Sequence, residues 1–299
     1  MKKTGLDALI HPHSREDFLK LYAKNEPFLV QGNFEHTNIL KELPFLKSLD
    51  DLLSLWPAQV QAHLPDLRDE ASAIDTNPIH AKELFSEGLG LLFNEAQNLS
   101  PLLSEWIEEI KKDLGVSAMT YGRSLIYATP NGKGTAPHFD QNINFVLQIQ
   151  GTKKWLMAPN ENIQNPLTRH TMGLDPDPEM MSYLESELPK AMPKNAMTYE
   201  LKPGSLLFVP RGYGHSTKAE GDSLALNFTF TAPTWIDLFT AALRSRLAQS
   251  PEWRETADGV SDPERRKLAE NRFNSLLSNL IDDLPSWRAE DILGATDPD

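Results

Sequence analysis

A mainly β core set between two helical regions is the architecture this sequence predicts, and three observations lead to it. Residues 119–232 break into short apolar runs separated by turn chemistry, residues 1–118 carry helical periodicity, and residues 233–299 return to it. The 299 residues suffice for one large domain or two modest ones. Hydrophobic residues at 40% and charged residues at 24% match ordinary globular usage and exclude a disordered chain. No run reaches the roughly 18 consecutive apolar residues of a spanning helix, so no membrane association is expected.

In the first region Ser14 stands as an N-cap before the acidic turn Glu16-Asp17, and Pro27 to Gly32 reads as a short extended run. Ser100 is a candidate cap with Pro101 at the first helical position. Leu102, Leu103, Trp106, Ile110 and Leu114 recur at helical spacing, and Gly115 closes the helix. The central strands are expected at 124–128, 144–150, 154–158, 197–201, 205–209 and 224–231. Asn131-Gly132-Lys133-Gly134, Gln150-Gly151 and Lys202-Pro203-Gly204 punctuate them. Such spacing predicts an antiparallel sandwich or barrel rather than a doubly wound sheet. Residues 159–194, rich in Pro, Asn, Asp and Met, form an insert read as a long loop with a short helix, placed to cover a site. Beyond 233, Trp235, Leu238, Phe239, Ala242 and Leu243 make one apolar face. Leu268, Phe273, Leu276, Leu277, Leu280 and Ile281 make another after Asp262-Pro263-Glu264, and residues 295–299 are expected to fray.

Composition narrows the chemistry. With no cysteine there are no disulfides, zinc–thiolate sites, iron–sulfur clusters or thiol mechanisms. A formal charge of −13 argues against nucleic acid as the main ligand. The N-terminus has a short basic start but no apolar segment of a secretory signal, so a cytoplasmic protein is expected. Of the eight histidines, His11 and His13 lie in a polar segment without a carboxylate at strand spacing. His36, His63 and His80 read as surface or capping residues, and His170 sits in the insert.

His138 and Asp140 differ in kind. They frame Phe139 directly after a glycine-rich turn, and in an extended segment residues two apart share a face. Imidazole and carboxylate can then share one metal, with Phe139 turned into packing. His215, where the run Phe208-Val209-Pro210-Arg211-Gly212-Tyr213-Gly214 ends, is the best third ligand. Two histidines and a carboxylate form the facial triad of non-haem Fe(II) oxygenases, with three positions open. An H-x-D pair also arises by chance in strands that bind nothing.

The stretch from Tyr127-Ala128-Thr129-Pro130 through Pro137-His138-Phe139-Asp140, continued by Asn144-Phe145-Val146-Leu147-Gln148-Ile149-Gln150-Gly151-Thr152-Lys153-Lys154-Trp155, resembles the iron-binding strands of the Jumonji C branch of the cupin superfamily. The run Lys202-Pro203-Gly204-Ser205-Leu206-Leu207 through His215 is similar to the second motif of that family. The resemblance covers 119–232 and extends to the segment from Phe18 to Gly32. It implies a double-stranded β-helix, or jelly roll, with N-terminal helices packed on it and a C-terminal helical segment. It also implies Fe(II) held by His138, Asp140 and His215, with 2-oxoglutarate as cosubstrate and O2 as oxidant. Lys153 matches the cation for the distal carboxylate of 2-oxoglutarate, and a surface lysine is its bland alternative. Thr135 matches a hydroxyl assisting that carboxylate. Asn144 and Asn227 match amides beside the keto-acid end, or else hydrogen-bond within the sheet. Tyr127 is placed to line the pocket, and Arg211 either to salt-bridge or to meet substrate.

What the resemblance implies is oxidative decarboxylation to succinate and CO2 coupled to hydroxylation of a substrate C–H, most readily on a protein or peptide side chain. A small-molecule hydroxylase and a non-oxidative metal-binding cupin, isomerase or scaffold, are the alternatives. Residues 127–140 and the Pro210-Arg211-Gly212 turn look like the ribosomal-protein hydroxylases, and Asn144 and Asn227 like the asparaginyl-hydroxylase type. The segment Thr234-Trp235-Ile236-Asp237-Leu238-Phe239 is similar to a helical dimerisation segment, so a homodimer is expected. The C-terminal region is expected to be shorter than the winged-helix domain of the ribosomal enzymes.

Overall fold

In the computed structural model, which describes residues 4–32, 34–64 and 73–296, eleven strands join one hydrogen-bonded network among the described residues. Four come from the region whose periodicity reads as helical: β1 (Phe28–Val30), β2 (Val60–His63), β3 (Ile74–Thr76) and β4 (Gly90–Phe93). The others are β5 (Tyr121–Thr129), β6 (His138–Phe139), β7 (Ile143–Ala158), β8 (His170–Thr171), β9 (Met197–Leu201), β10 (Leu206–Val209) and β11 (Gly214–Thr231). No described helix is long and apolar enough to cross a membrane. Of residues 295–299, expected to fray, Thr296 ends a helix and 297–299 lie outside the described residues.

The expected break at Gln150-Gly151 does not occur, and β7 runs through it. Gly151 has a φ of +67°, and a Cβ there would lie 2.1 Å from the Asp222 carbonyl oxygen. A residue without a side chain can pass this close to β11 and continue. The β7–β11 register shifts between Glu220 and Ala225, opposite Gly151. On one side of that shift, the first half of β7 and the second half of β11 belong to the order β1-β10-β7-β11-β5-β4-β2-β3. On the other, the second half of β7 pairs β9 and the first half of β11 pairs β6, which pairs β8. Two wings thus share two long strands, the double-stranded β-helix.

Strand parity sorts the side chains. Phe145, Leu147, Phe208, Leu226 and Phe228 face the N-terminal helices and join the main core with Leu6, Phe18 and Trp106. Phe18 meets Phe28, Phe145 and Phe208 at ring distances of 5.5, 5.8 and 5.1 Å. It is carried by helix Arg15–Ala23, whose Ser14 side chain accepts from the Asp17 N–H. Helix Pro101–Leu114 buries Leu103, Trp106, Ile110 and Leu114 and ends at Gly115, φ 66°. Ser100 occupies its N-cap position without a side-chain capping bond. On the opposite parity, Val146, Trp155, Met157, Val209 and Ala225 form a second core between the wings. The insert carries helix Pro178–Met181, capped by Asp177, and packs Met180 and Ile163 against Phe139.

The chain divides into two compact units. One runs to Val116 and resumes over Tyr121–Thr231; the other joins Ser117–Thr120 to the chain from Ala232 onward. In the second, Thr234 and Asp237 form a capping box on helix Trp235–Leu247. Helix Arg266–Asp283 begins after Asp262, whose carboxylate accepts from the Glu264 N–H. Arg246 donates to Asp283 from Nε and Nη2, at 2.9 and 2.5 Å, holding that carboxyl well below the usual range.

The glycine turn before β6 approaches β11 as closely as Gly151 does. The Lys133 and Thr135 carbonyls accept from the Ala219 and Thr217 N–H groups, so Gly134 lies against β11. A Cβ at Gly134 would sit 1.7 Å from the Thr217 carbonyl oxygen. Gly134→Ala should destabilise the protein by about 2–4 kcal/mol in urea unfolding. At Gly132, with φ +75° and open space around it, the same change should cost only about 1 kcal/mol. Equal losses would contradict the close approach.

Candidate metal centre

Gly134 brings the chain onto β11, and β6 then pairs His138 directly with His215. Phe139 is fully buried against the insert, so its neighbours on either side, His138 and Asp140, face the other way. The Asp140 Oδ2 lies 3.8 Å from the His138 Nε2 and 3.7 Å from the His215 Nε2, and the two rings are 4.2 Å apart. One potential ligand atom from each of the three residues falls within 4.8 Å of the others. Such separations are too long for hydrogen bonds and suit ligands of one shared ion.

Both imidazoles turn the same nitrogen toward Asp140. His138 Nδ1 lies 2.7 Å from the Ala136 carbonyl and His215 Nδ1 lies 2.9 Å from the Tyr213 carbonyl. A carbonyl only accepts, so each Nδ1 donates to it and each Nε2 is the nitrogen directed at Asp140. Burial, reinforced by His215 and Arg169, depresses the His138 pKa well below the ordinary histidine value. The group therefore offers two imidazole nitrogens and one carboxylate, the donor set of a facial triad.

The remaining residues singled out in the sequence, Lys153, Thr135, Asn144, Asn227 and Tyr127, line the same cavity. Lys153 is 4% exposed and donates to the Thr129 hydroxyl at 2.7 Å, with no carboxylate beside it among the described residues. Burial lowers its pKa from 10.5 to about 8. Thr135 shares a hydroxyl–hydroxyl bond of 3.0 Å with Thr217, and the Asn144 Oδ1 accepts from Thr229 at 2.7 Å. The Asn227 Oδ1 and the Trp155 Nε1 are buried without a hydrogen-bond partner among the described residues. A buried cation, an acceptor and a donor left unsatisfied in one cavity fit a polar, anionic ligand.

The other histidines are elsewhere: His11 meets His36 at a ring distance of 3.8 Å and a tilt of 41°, His13 packs on Phe28, and His80 meets Asn77 at its helix start. His170 packs on Phe139. His63 lines an adjoining cavity of about 100 Å³ that shares Tyr127, Thr135, His138 and Asp140 with the first. Arg211 turns to the insert, donating to the Pro166 carbonyl at 3.1 and 2.8 Å. Sequence reading passed over four residues that touch this group. Trp155 stacks on His215 at 5.4 Å, and Thr217 meets Thr135. Thr129 receives Lys153, and Arg169 pairs with Asp140. Trp155 and Thr217 follow Lys153 and His215 by two positions, so the strand period was available to find them. No local signal marks Arg169.

A family model described as the JmjC domain matches residues 104–238. Over 285 residues the chain is 32% identical to the uncharacterised protein YxbC of Bacillus subtilis, an alignment covering 93% of this chain and 86% of that protein. The chain belongs to the JmjC domain family. Among other relatives, the Aedes aegypti protein named bifunctional lysine-specific demethylase and histidyl-hydroxylase NO66 is 26% identical over 82% of this chain and 37% of its own length. Human ribosomal oxygenase 1 is 24% identical over 82% of this chain and 38% of its own length. The JmjC chain thus spans well under half the length of these two. Its fold is also that of the Escherichia coli ribosomal oxygenase YcfD, at a TM-score of 0.55 and 18% identity, over 90% of this chain and 68% of that one. A YcfD structure in complex with cobalt and 2-oxoglutarate matches at 0.53 and 16% identity, over 89% and 67%.

Below pH 8 this JmjC chain carries at Lys153 a charge that the unfolded chain holds more readily, and the cost fades as pH rises toward 10.5. Lys153→Met should therefore stabilise the ligand-free protein by about 1–3 kcal/mol at pH 7 and by progressively less toward pH 10. Denaturant melts at the two pH values check this; a Lys153→Met protein less stable at pH 7 would contradict the burial of an uncompensated cation.

Proposed function

We propose that the chain is an Fe(II)- and 2-oxoglutarate-dependent oxygenase that hydroxylates a C–H bond of a protein or peptide side chain. Lys153 carries this reading: a buried cation without a carboxylate beside it among the described residues, in one cavity with His138, Asp140 and His215. Met157 is the residue opposite His215, and Lys153 stands four positions from it along β7. That is roughly 13 Å of strand, which sets the cation apart from the metal ligands within one cavity. A non-oxidative cupin has no use for such a cation.

In this reading His138, Asp140 and His215 hold the iron, and Lys153 with Thr129 and Thr135 receives the distal carboxylate. Asn144, Asn227 and Tyr127 orient the rest of the cosubstrate, with Trp155 keeping the His215 ring in place. Bound iron with 2-oxoglutarate and O2 supplies decarboxylation to succinate and CO2 and the oxygen inserted into the substrate. The apolar faces of Val146, Val209 and Ala225 exclude water from that reaction. The adjoining cavity, walled by Leu91 and Leu92, offers substrate a way to the same ligands. A protein substrate is supported by the relatives named as ribosomal oxygenase and histidyl-hydroxylase. Cysteine-free composition suits a cytoplasmic setting, which cell fractionation checks.

Anaerobic Fe(II) followed by 2-oxoglutarate should give the visible charge-transfer band of a chelated keto acid, and His138→Ala should abolish it while the protein stays folded. Fe(II) binding without a band in the parent protein would leave a metal cupin of another kind. We also propose a homodimer built on the C-terminal helices, where Trp235 and Ile281 are 79% and 65% exposed. Sedimentation should give a dimer mass, and Trp235→Glu with Ile281→Glu should halve it; an unchanged dimer mass would move the interface elsewhere.

A further inference from the structure

Asp140 presents its two oxygens to different partners. Oδ2 faces both histidines, at 3.8 and 3.7 Å, whereas Oδ1 lies 3.3 Å from the Arg169 Nε. Arg169 belongs to the insert, yet it is fixed relative to the ligand strand. Its Nη1 donates to the Thr171 hydroxyl at 2.8 Å, Thr171 pairs with His138 across β6 and β8, and the Met172 N–H donates to the Pro137 carbonyl at 2.8 Å. The Asp140 backbone is held too, its carbonyl accepting from the Gly212 N–H at 2.7 Å. The Arg169 and Asp140 side chains are 17% and 19% exposed, so water screens their attraction far less than on an open surface.

We propose that Arg169 is a positioning residue that restricts Asp140 to a single metal-binding oxygen, an inference that rests on the oxygenase reading above. A carboxylate can bind a metal through one oxygen or both. Two imidazoles and one carboxylate oxygen leave three of six positions open, two for a chelating keto acid and one for O2. An Asp140 free to turn Oδ1 inward would take one of them. The guanidinium prevents this by holding Oδ1 where the metal is not. Arg169 is not among the residues lining the cavity with Lys153, so its loss should act first at the metal.

The test is a cobalt(II) titration followed by visible absorption, with and without 2-oxoglutarate, on the full chain and on Arg169→Gln, Arg169→Lys and Thr171→Val. Arg169→Gln should bind cobalt within about threefold of the parent but need about tenfold or more 2-oxoglutarate for the same spectral change. Arg169→Lys should fall between, and Thr171→Val, which removes one hydrogen bond from the guanidinium and keeps the residue, should shift the same way by less. If Arg169→Gln, or Thr171→Val should the former not fold, moves the 2-oxoglutarate requirement no further than the cobalt affinity, the proposal is overturned and Arg169 merely anchors the insert. A parent protein whose cobalt spectrum ignores 2-oxoglutarate would overturn the oxygenase reading itself, and the clamp with it.

Discussion

Everything at the site depends on β7 and β11 staying paired through a change of register. An antiparallel pair has a side-chain period of two, so one parity of each strand faces the N-terminal helices and the other faces inward. Without Gly151 the pair would have to end at the Asp222 carbonyl, and Lys153 and Asn144 would fall on separate strands with independent orientation. Because the pair continues, one rigid element carries a polar acceptor at one end of the cavity and a cation at the other. His215 and Asn227 are fixed on its partner in the same way.

The legible parts of the sequence were those where residues close in the chain are also close in space. His138 and Asp140 share a face through local geometry, and the turn from Pro210 to Gly214 delivers His215. The heavily apolar strands from Asn144 and from Leu206 announce themselves in the same way. The helix from Pro101 was readable because its apolar stripe is long and its ends carry proline and glycine. Strands β2, β3 and β4 were not, since three or four residues show no period of their own, and they pair in a chain in which β4 joins β5, β2 joins β4 and β3 joins β2. Gly151 misled for a physical reason: a positive-φ glycine signals a turn, and here the same freedom serves close passage between strands. Arg169 was invisible because its meaning lies wholly in a contact made across the insert.

The cavity is prepared at some expense to the fold. His138 is buried, and among the described residues Lys153 has a hydroxyl as its hydrogen-bond partner while an asparagine oxygen and an indole N–H have none. Each arrangement is unfavourable in the isolated chain, and in the proposed reading a metal and a dianion supply what is missing. The two apolar cores on either face of the shared strands provide the stability that lets such a site persist.

The insert is sewn into this centre at several points. Arg211 holds the Pro166 carbonyl, Gly212 from the same turn holds the Asp140 carbonyl, and β8 runs beside β6. Covering loops on β scaffolds are commonly interchangeable cassettes, diverging freely while the chemistry beneath them is conserved. Here the insert shares main-chain bonds with the strand that carries His138, so it is not such a cassette. Transplanting it alone would strip the centre of these supports.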